Sequence, residues 1–121
     1  MRRIETELLI PCDIDQTLIC WDSLPPPTMV EFIDPYDNRP RLVVPHKPNI
    51  KIMMNYLERG ATVLVWSRSG YKWAEAALKA LNIDHDNIIV ASKPFAYIDD
   101  KPGQEWMGEQ VFLPIDSNWG Q

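Results

Sequence analysis

Acidic and hydroxyl side chains follow a short apolar run near the N-terminus. The stretch LLIPCDIDQTL, residues 8–18, places Asp13, Asp15 and Thr17 at alternate positions directly after mostly apolar residues. Carboxylates so placed can bind a hard cation such as Mg²⁺, attack phosphorus, or carry a proton during a reaction. Taken alone the motif could be a simple turn after a strand, but with the polar residues further along the chain it indicates a site for phosphate chemistry.

Three later apolar segments end in polar residues of the same kinds. VLVWS ends at Ser67, VAS is followed by Lys93, and YIDD ends at Asp99 and Asp100. Ligands of open parallel sheets bind beyond the carboxyl ends of the strands, so these segments would bring their polar residues to one edge. Several ionised carboxylates in one place require a cation to offset them, and a lysine with hydroxyl groups suits a phosphate.

The hydrophobic pattern predicts strands that alternate with helices. It predicts strands over 7–13, 61–67, 87–92 and 95–100, helices over 47–60 and 71–83, a β-hairpin within 28–45, and a further strand near 109–116. This order is typical of an α/β fold, and we expect a Rossmann-like three-layer sandwich with a mostly parallel sheet and helices on both faces. The hairpin would be a flap inserted after the first strand.

Length and composition indicate one ordinary globular domain spanning 1–121, with 45% apolar and 24% charged residues. The net charge of −5 argues against strong non-specific binding of nucleic acid or a membrane surface. No apolar run is long enough to span a bilayer, and a signal-peptide apolar stretch is absent, so we expect a cytoplasmic protein. Cys12 and Cys20 are expected to be reduced thiols.

These segments resemble, in order, the four motifs of the haloacid dehalogenase superfamily of phosphatases. DIDQT is similar to the first motif, VLVWS to the second, Lys93 to the lysine of the third, and YIDD to the fourth, over residues 8–100. Gln16 stands where many members have glycine. The short interval between Lys93 and Asp99 looks like that of small bacterial and phage-type members. The chain has no room for a cap domain, so the resemblance implies a capless member with an open site.

The resemblance also implies a role for each residue. Asp13 would be the nucleophile and a ligand of Mg²⁺, and Asp15 would be the general acid and base, with its main-chain carbonyl on the metal. Asp99 would be a direct metal ligand, and Asp100 either a ligand through water or a residue that orients the ligands. The phosphoryl oxygens would be bound by three further residues, Thr17, Ser67 and Lys93.

The expected function is hydrolysis of phosphate monoesters, dependent on Mg²⁺ and proceeding through an aspartyl-phosphate. An open site suits a large or polymeric substrate, and a nucleic-acid end, a nucleotide, a sugar phosphate and a phosphoprotein all remain candidates. The alternative is a catalytically silent relative that recognises phosphorylated or metal-bridged ligands. A homodimer that covers the site is also compatible with so small a domain.

Overall fold

The computed structural model describes residues 3–21 and 29–113, apart from the side chain of Trp106. Its elements, in chain order, are β1 (Leu9–Asp13), β2 (Ile19–Cys20), β3 (Val30–Ile33), β4 (Pro40–Pro45), α1 (Lys47–Glu58), β5 (Thr62–Ser67), α2 (Tyr71–Ala80), β6 (Ile88–Ser92) and α3 (Gly103–Trp106). Within those residues no helix is both long and apolar enough to cross a membrane.

The central sheet is parallel, with the strand order β1-β5-β6. Strand β5 lies in the middle, and its register pairs Cys12 with Val65 on one side and Val65 with Val90 on the other. The three strands are rich in β-branched and other apolar residues, as expected for a sheet whose strands are joined by helical crossovers. The predicted α/β class and parallel sheet are therefore confirmed.

Both long helices bury their apolar faces in one hydrophobic cluster. Val63 and Val65 of β5 alternate with less buried neighbours and belong to the same cluster as Met53 and Leu57 of α1. The buried residues of α2 belong to this cluster too, namely Trp73, Ala74, Ala77 and Leu78. Because residues two apart on a strand share one face, both helices lie against the same face of β5. In the described part of the chain both long helices thus lie on one face of the central sheet, and the three-layer sandwich with helices on both faces is not confirmed.

The predicted hairpin is present and packs on α2. Strands β3 and β4 pair antiparallel, and the short strand β2, which the hydrophobic pattern did not predict, pairs with β4 on the other side. Phe32 of β3 lies against Trp73, with ring centroids 4.8 Å apart. At the hairpin tip, the Tyr36 hydroxyl accepts a hydrogen bond from the Lys72 main-chain N–H at 3.3 Å. Gly70 permits this approach, since its φ is +105° and a Cβ there would collide with the Tyr36 hydroxyl.

The predicted strand over 95–100 is wrong. These residues have no regular secondary structure, and the side chains of Phe95 and Ile98 are fully exposed. Residues 109–113 of the strand predicted near 109–116 are not a strand either, and 114–116 lie outside the described residues. A run of four apolar residues can form a strand only if a sheet edge receives it, and no such pairing is present in the part of the chain that the structure describes.

Candidate active site

The carboxylate of Asp13 stands at the end of β1 beside a lysine and a hydroxyl group. Lys93, directly after β6, places Nζ 3.2 Å from Asp13 Oδ1. The Thr17 hydroxyl donates to Asp13 Oδ2 at 3.3 Å. The side chains of Asp13 and Lys93 are 32% and 28% exposed, so a ligand from solvent can reach both. This arrangement offers a nucleophilic carboxylate next to groups that can bind an anion.

Asp15 is held by three donors from different parts of the chain. Its Oδ2 accepts from the Ser67 hydroxyl at 3.1 Å. Its Oδ1 accepts from the indole N–H of Trp73 at 3.1 Å and from that of Trp21 at 3.2 Å. Hydrogen bonds to an ionised acceptor are among the stronger ones in proteins. To act as a general acid or base toward a substrate, Asp15 must release at least one of these contacts.

Ser67 is completely buried and links the ends of two strands to Asp15. Its hydroxyl also accepts from the Ser69 main-chain N–H at 3.0 Å, and its carbonyl accepts from the Lys93 N–H at 2.9 Å. The last contact places Lys93 next to the end of β5. Ser67 does not cap α2, because the N-cap is Gly70.

The loop after β1 turns sharply at Gln16. This residue has a φ of +59°, a left-handed conformation that costs free energy for a residue with a Cβ. The side chain offsets part of that cost, since Gln16 Oε1 accepts from the Trp21 main-chain N–H at 3.0 Å. Where glycine would supply only backbone freedom, glutamine here also orders the loop that carries Trp21.

The N-terminus of α1 positions Thr17. The buried Asn49 donates from its side chain to the Thr17 carbonyl at 2.9 Å. The N-cap residue, His46, accepts at Nδ1 from the Asn49 main-chain N–H at 3.2 Å, and its own N–H donates to the Leu18 carbonyl. Sequence reasoning missed both residues, and the only local signal was a polar residue in the first turn of an otherwise apolar helix face.

Acidification should weaken this cap. Burial lowers the pKa of His46 below its ordinary value of 6.5, because the charged form loses hydration. The contribution of neutral His46 to stability is therefore full above pH 6.5 and is lost as the pH falls below it. Losing an N-cap costs about 1 kcal/mol. We expect urea unfolding to show that loss between pH 7.5 and 5.5, and the His46→Asn variant, which keeps a capping oxygen, to show much less.

Asp99 and Asp100 do not join the cluster around Asp13. Both are exposed in the segment without regular structure, and Asp99 Oδ1 accepts from the Lys101 main-chain N–H at 3.0 Å. Across residues 3–21 and 29–113, no three His, Cys, Asp or Glu side chains come together in a way that could hold a metal ion. The metal-binding roles assigned to Asp99 and Asp100 remain predictions.

Comparison of this chain with known families, proteins and structures found no match. No family model, no curated protein and no solved structure matches this chain. The functional argument therefore depends on the site itself.

Neither the Cys12 thiol nor the groove beside α2 and β6 competes with the Asp13 site. Burial, and to a lesser extent the Asp13 carboxylate, raises the pKa of the Cys12 thiol to about 12, so it is not a thiolate nucleophile at neutral pH. An open groove of about 480 Å³ lies beside α2 and β6, lined in part by Leu78, Ile83 and Val90. It contains none of the predicted site residues.

Proposed function

We propose that this protein is a Mg²⁺-dependent phosphomonoester hydrolase of the haloacid dehalogenase type, with a Rossmann-like fold and a capless site. The observation that carries the proposal is the Asp13 carboxylate, accessible at the end of a parallel strand with Lys93 Nζ and Thr17 Oγ1 within 3.3 Å of its oxygens. Ligands of open α/β sheets bind at this edge.

The proposed reaction has two displacements at phosphorus. A carboxylate oxygen of Asp13 attacks, the bond to the leaving oxygen breaks, and Asp15 gives that oxygen a proton. Water then attacks the aspartyl-phosphate, passes a proton to Asp15, and releases inorganic phosphate with the Asp13 carboxylate restored. Lys93 and Thr17 bind the phosphoryl oxygens, and the charge of Lys93 offsets the negative charge that develops on them.

The two candidate ligands, the Asp13 carboxylate and the Asp15 main-chain carbonyl, suit Mg²⁺ because both are oxygen donors. Mg²⁺ is commonly held by one or two carboxylates together with water and substrate phosphate oxygens. Here the Asp13 carboxylate and the Asp15 main-chain carbonyl would hold it, and Asp99 and Asp100 would add ligands only if their segment moved toward β1. The ion would screen the negative charges of nucleophile and phosphate from each other.

Release of phosphate from a panel of monoesters tests the proposal. The panel should include an aryl phosphate, a sugar phosphate and a nucleotide, each with Mg²⁺ and with EDTA. We expect turnover that depends on Mg²⁺. Absence of turnover on every member, with the protein folded and Mg²⁺ present, would contradict the hydrolase assignment.

Removing the lysine charge should impair the same reaction. The Lys93→Met variant keeps much of the side-chain volume but removes the ammonium group beside Asp13. We expect kcat/KM to fall about 100- to 1000-fold, the range seen when one group that stabilises transition-state charge is lost. Lys79→Met, at an exposed position of α2, is the matched control and should keep normal turnover. Equal activity in the two variants would remove Lys93 from the site.

A second candidate is a binding module without turnover, favoured by the state of Asp15. Three donors already occupy its oxygens, and Asp99 and Asp100 lie apart from Asp13. Such a module would bind inorganic phosphate or a phosphate analogue, lose that binding in Lys93→Met, and release no phosphate from any monoester. Turnover of one monoester that is lost in Asp13→Asn would exclude it.

A further inference from the structure

Trp21 is a rigidly held aromatic ring at the edge of the candidate site. Its indole stacks on that of Trp73, with centroids 5.5 Å apart and an angle of 10° between the planes. Its Nε1 donates to Asp15 Oδ1, and its main-chain N–H donates to Gln16 Oε1. The ring is therefore held by one stacking contact and by the hydrogen bond of its indole N–H, and the main chain of Trp21 is anchored to Gln16.

The two tryptophans differ sharply in burial. Trp73 is 2% exposed and is packed on its other side by Phe32, whereas Trp21 is 37% exposed. Trp73 covers one face of the Trp21 ring, so the exposed part of Trp21 belongs to its other face and edge. Packing in the core accounts for the buried position of Trp73. It does not account for Trp21, a partly exposed indole that is held by a stacking contact and a hydrogen bond.

Trp21 lies next to the residues that we propose to carry out the phosphate chemistry. It bonds to Asp15, the proposed proton carrier, which lies two residues from the proposed nucleophile, Asp13. A group attached to the leaving oxygen of a phosphate bound at Asp13 must pass close to Asp15. The exposed face of Trp21 is thus available to a planar ring carried by the leaving group.

We propose that Trp21 is a stacking platform for the nucleobase of a nucleoside monophosphate substrate. This inference rests on the proposed function and narrows its substrate class. Aromatic rings stack on any base because every base has a π-face. The net charge of −5 disfavours a long polyanion, so the substrate is a mononucleotide rather than the end of a nucleic acid. A sugar phosphate would leave the platform unused.

Binding of two matched ligands tests the platform independently of turnover. Adenosine 5′-monophosphate and ribose 5-phosphate share the phosphate and the sugar, and only the first has a base. We would measure both dissociation constants by calorimetry in Asp13→Asn, which removes hydrolysis as a complication. The measurement would then be repeated in the same protein with Trp21→Ala, Trp21→Phe or Tyr56→Ala added.

The expected result is a preference for the nucleotide of roughly tenfold or more. Trp21→Ala should bring that ratio close to one. Trp21→Phe should keep most of it, because phenylalanine retains a stacking ring but not the hydrogen bond to Asp15. Tyr56→Ala removes an aromatic side chain from the last turn of α1, at the end of that helix opposite Asn49, and should leave the ratio unchanged.

Equal affinities for the two ligands would contradict the proposed role of Trp21. So would a preference for the nucleotide that survives Trp21→Ala, or the absence of detectable nucleotide binding at millimolar concentration. The hydrolase proposal is tested by a different measurement, phosphate release. It would be contradicted if the unmodified protein released no phosphate from adenosine 5′-monophosphate, ribose 5-phosphate or the aryl phosphate. If ribose 5-phosphate were hydrolysed as efficiently as the nucleotide, the protein would be a hydrolase, but Trp21 would not be a platform for the base.

Discussion

Asp13→Asn is expected to lower kcat/KM for phosphate monoesters by at least about a thousandfold, since loss of a covalent nucleophile is among the largest single effects on an enzyme. The substitution keeps the shape of the side chain and one oxygen, so the fold should be retained. It also removes the charge that attracts Lys93. Steady-state phosphate release in the presence of Mg²⁺ measures the effect.

The matched control for this prediction is Asp84→Asn. Asp84 is an exposed acid in the loop between α2 and β6, so its substitution changes the net charge equally without touching the site. We expect unchanged turnover. A rapid acid quench should also find phosphate bound covalently to the unmodified protein but not to Asp13→Asn. Normal turnover of Asp13→Asn would refute the aspartyl-phosphate route.

Asp15 should show a second large effect, one that separates stability from catalysis. Asp15→Ala leaves the buried Trp73 N–H and the buried Ser67 hydroxyl without their acceptor, which should cost about 2–5 kcal/mol of unfolding free energy. Asp15→Asn should cost only about 1 kcal/mol, because its amide oxygen can accept both indole N–H groups while its NH₂ donates to the Ser67 hydroxyl. Urea unfolding measures both values.

Turnover should not follow that difference in stability. An amide cannot take up and release the proton that the proposed reaction needs, so Asp15→Asn is expected to lose about 100- to 10,000-fold in kcat although it is folded. Asp84→Ala, an exposed substitution, should stay within about 0.5 kcal/mol of the unmodified protein. If Asp15→Asn keeps both its stability and its turnover, Asp15 only orients the two indoles, and another group moves the proton.

The local pattern was sufficient for the elements whose signal is long and periodic. Helix α1 has Pro48 in its first turn and Gly60 just past its end at a φ of +89°, as the residue types predicted. Strands β5 and β6 occupy the predicted apolar runs. Because strands that alternate with helices usually lie parallel, their ends were expected to meet, and Lys93 does reach Asp13.

The residues over 95–100 show where local pattern is insufficient. FAYI has the apolar character of a strand, but the main-chain groups of a strand need a partner edge, and none pairs with it in the described structure. Short apolar runs carry too little periodicity to decide between a strand and an exposed segment. Asp99 and Asp100 were assigned to the site on that strand; in this structure they lie apart from Asp13, and their metal-binding roles stay predictions.

The spacing of acids, hydroxyls and a lysine at the ends of apolar runs was enough to predict that Asp13, Ser67 and Lys93 would meet at one edge of the sheet, because that depends on strand order. Contacts between distant residues had to be read from the fold. The Trp73 indole reaches Asp15 across 58 positions, and Asn49 reaches the Thr17 carbonyl across 32. Such contacts depend on how α1 and α2 pack against β5, and packing is set by the shapes of many side chains together. Tertiary structure alone therefore decided how Asp15 is held and that Trp21 stands beside it.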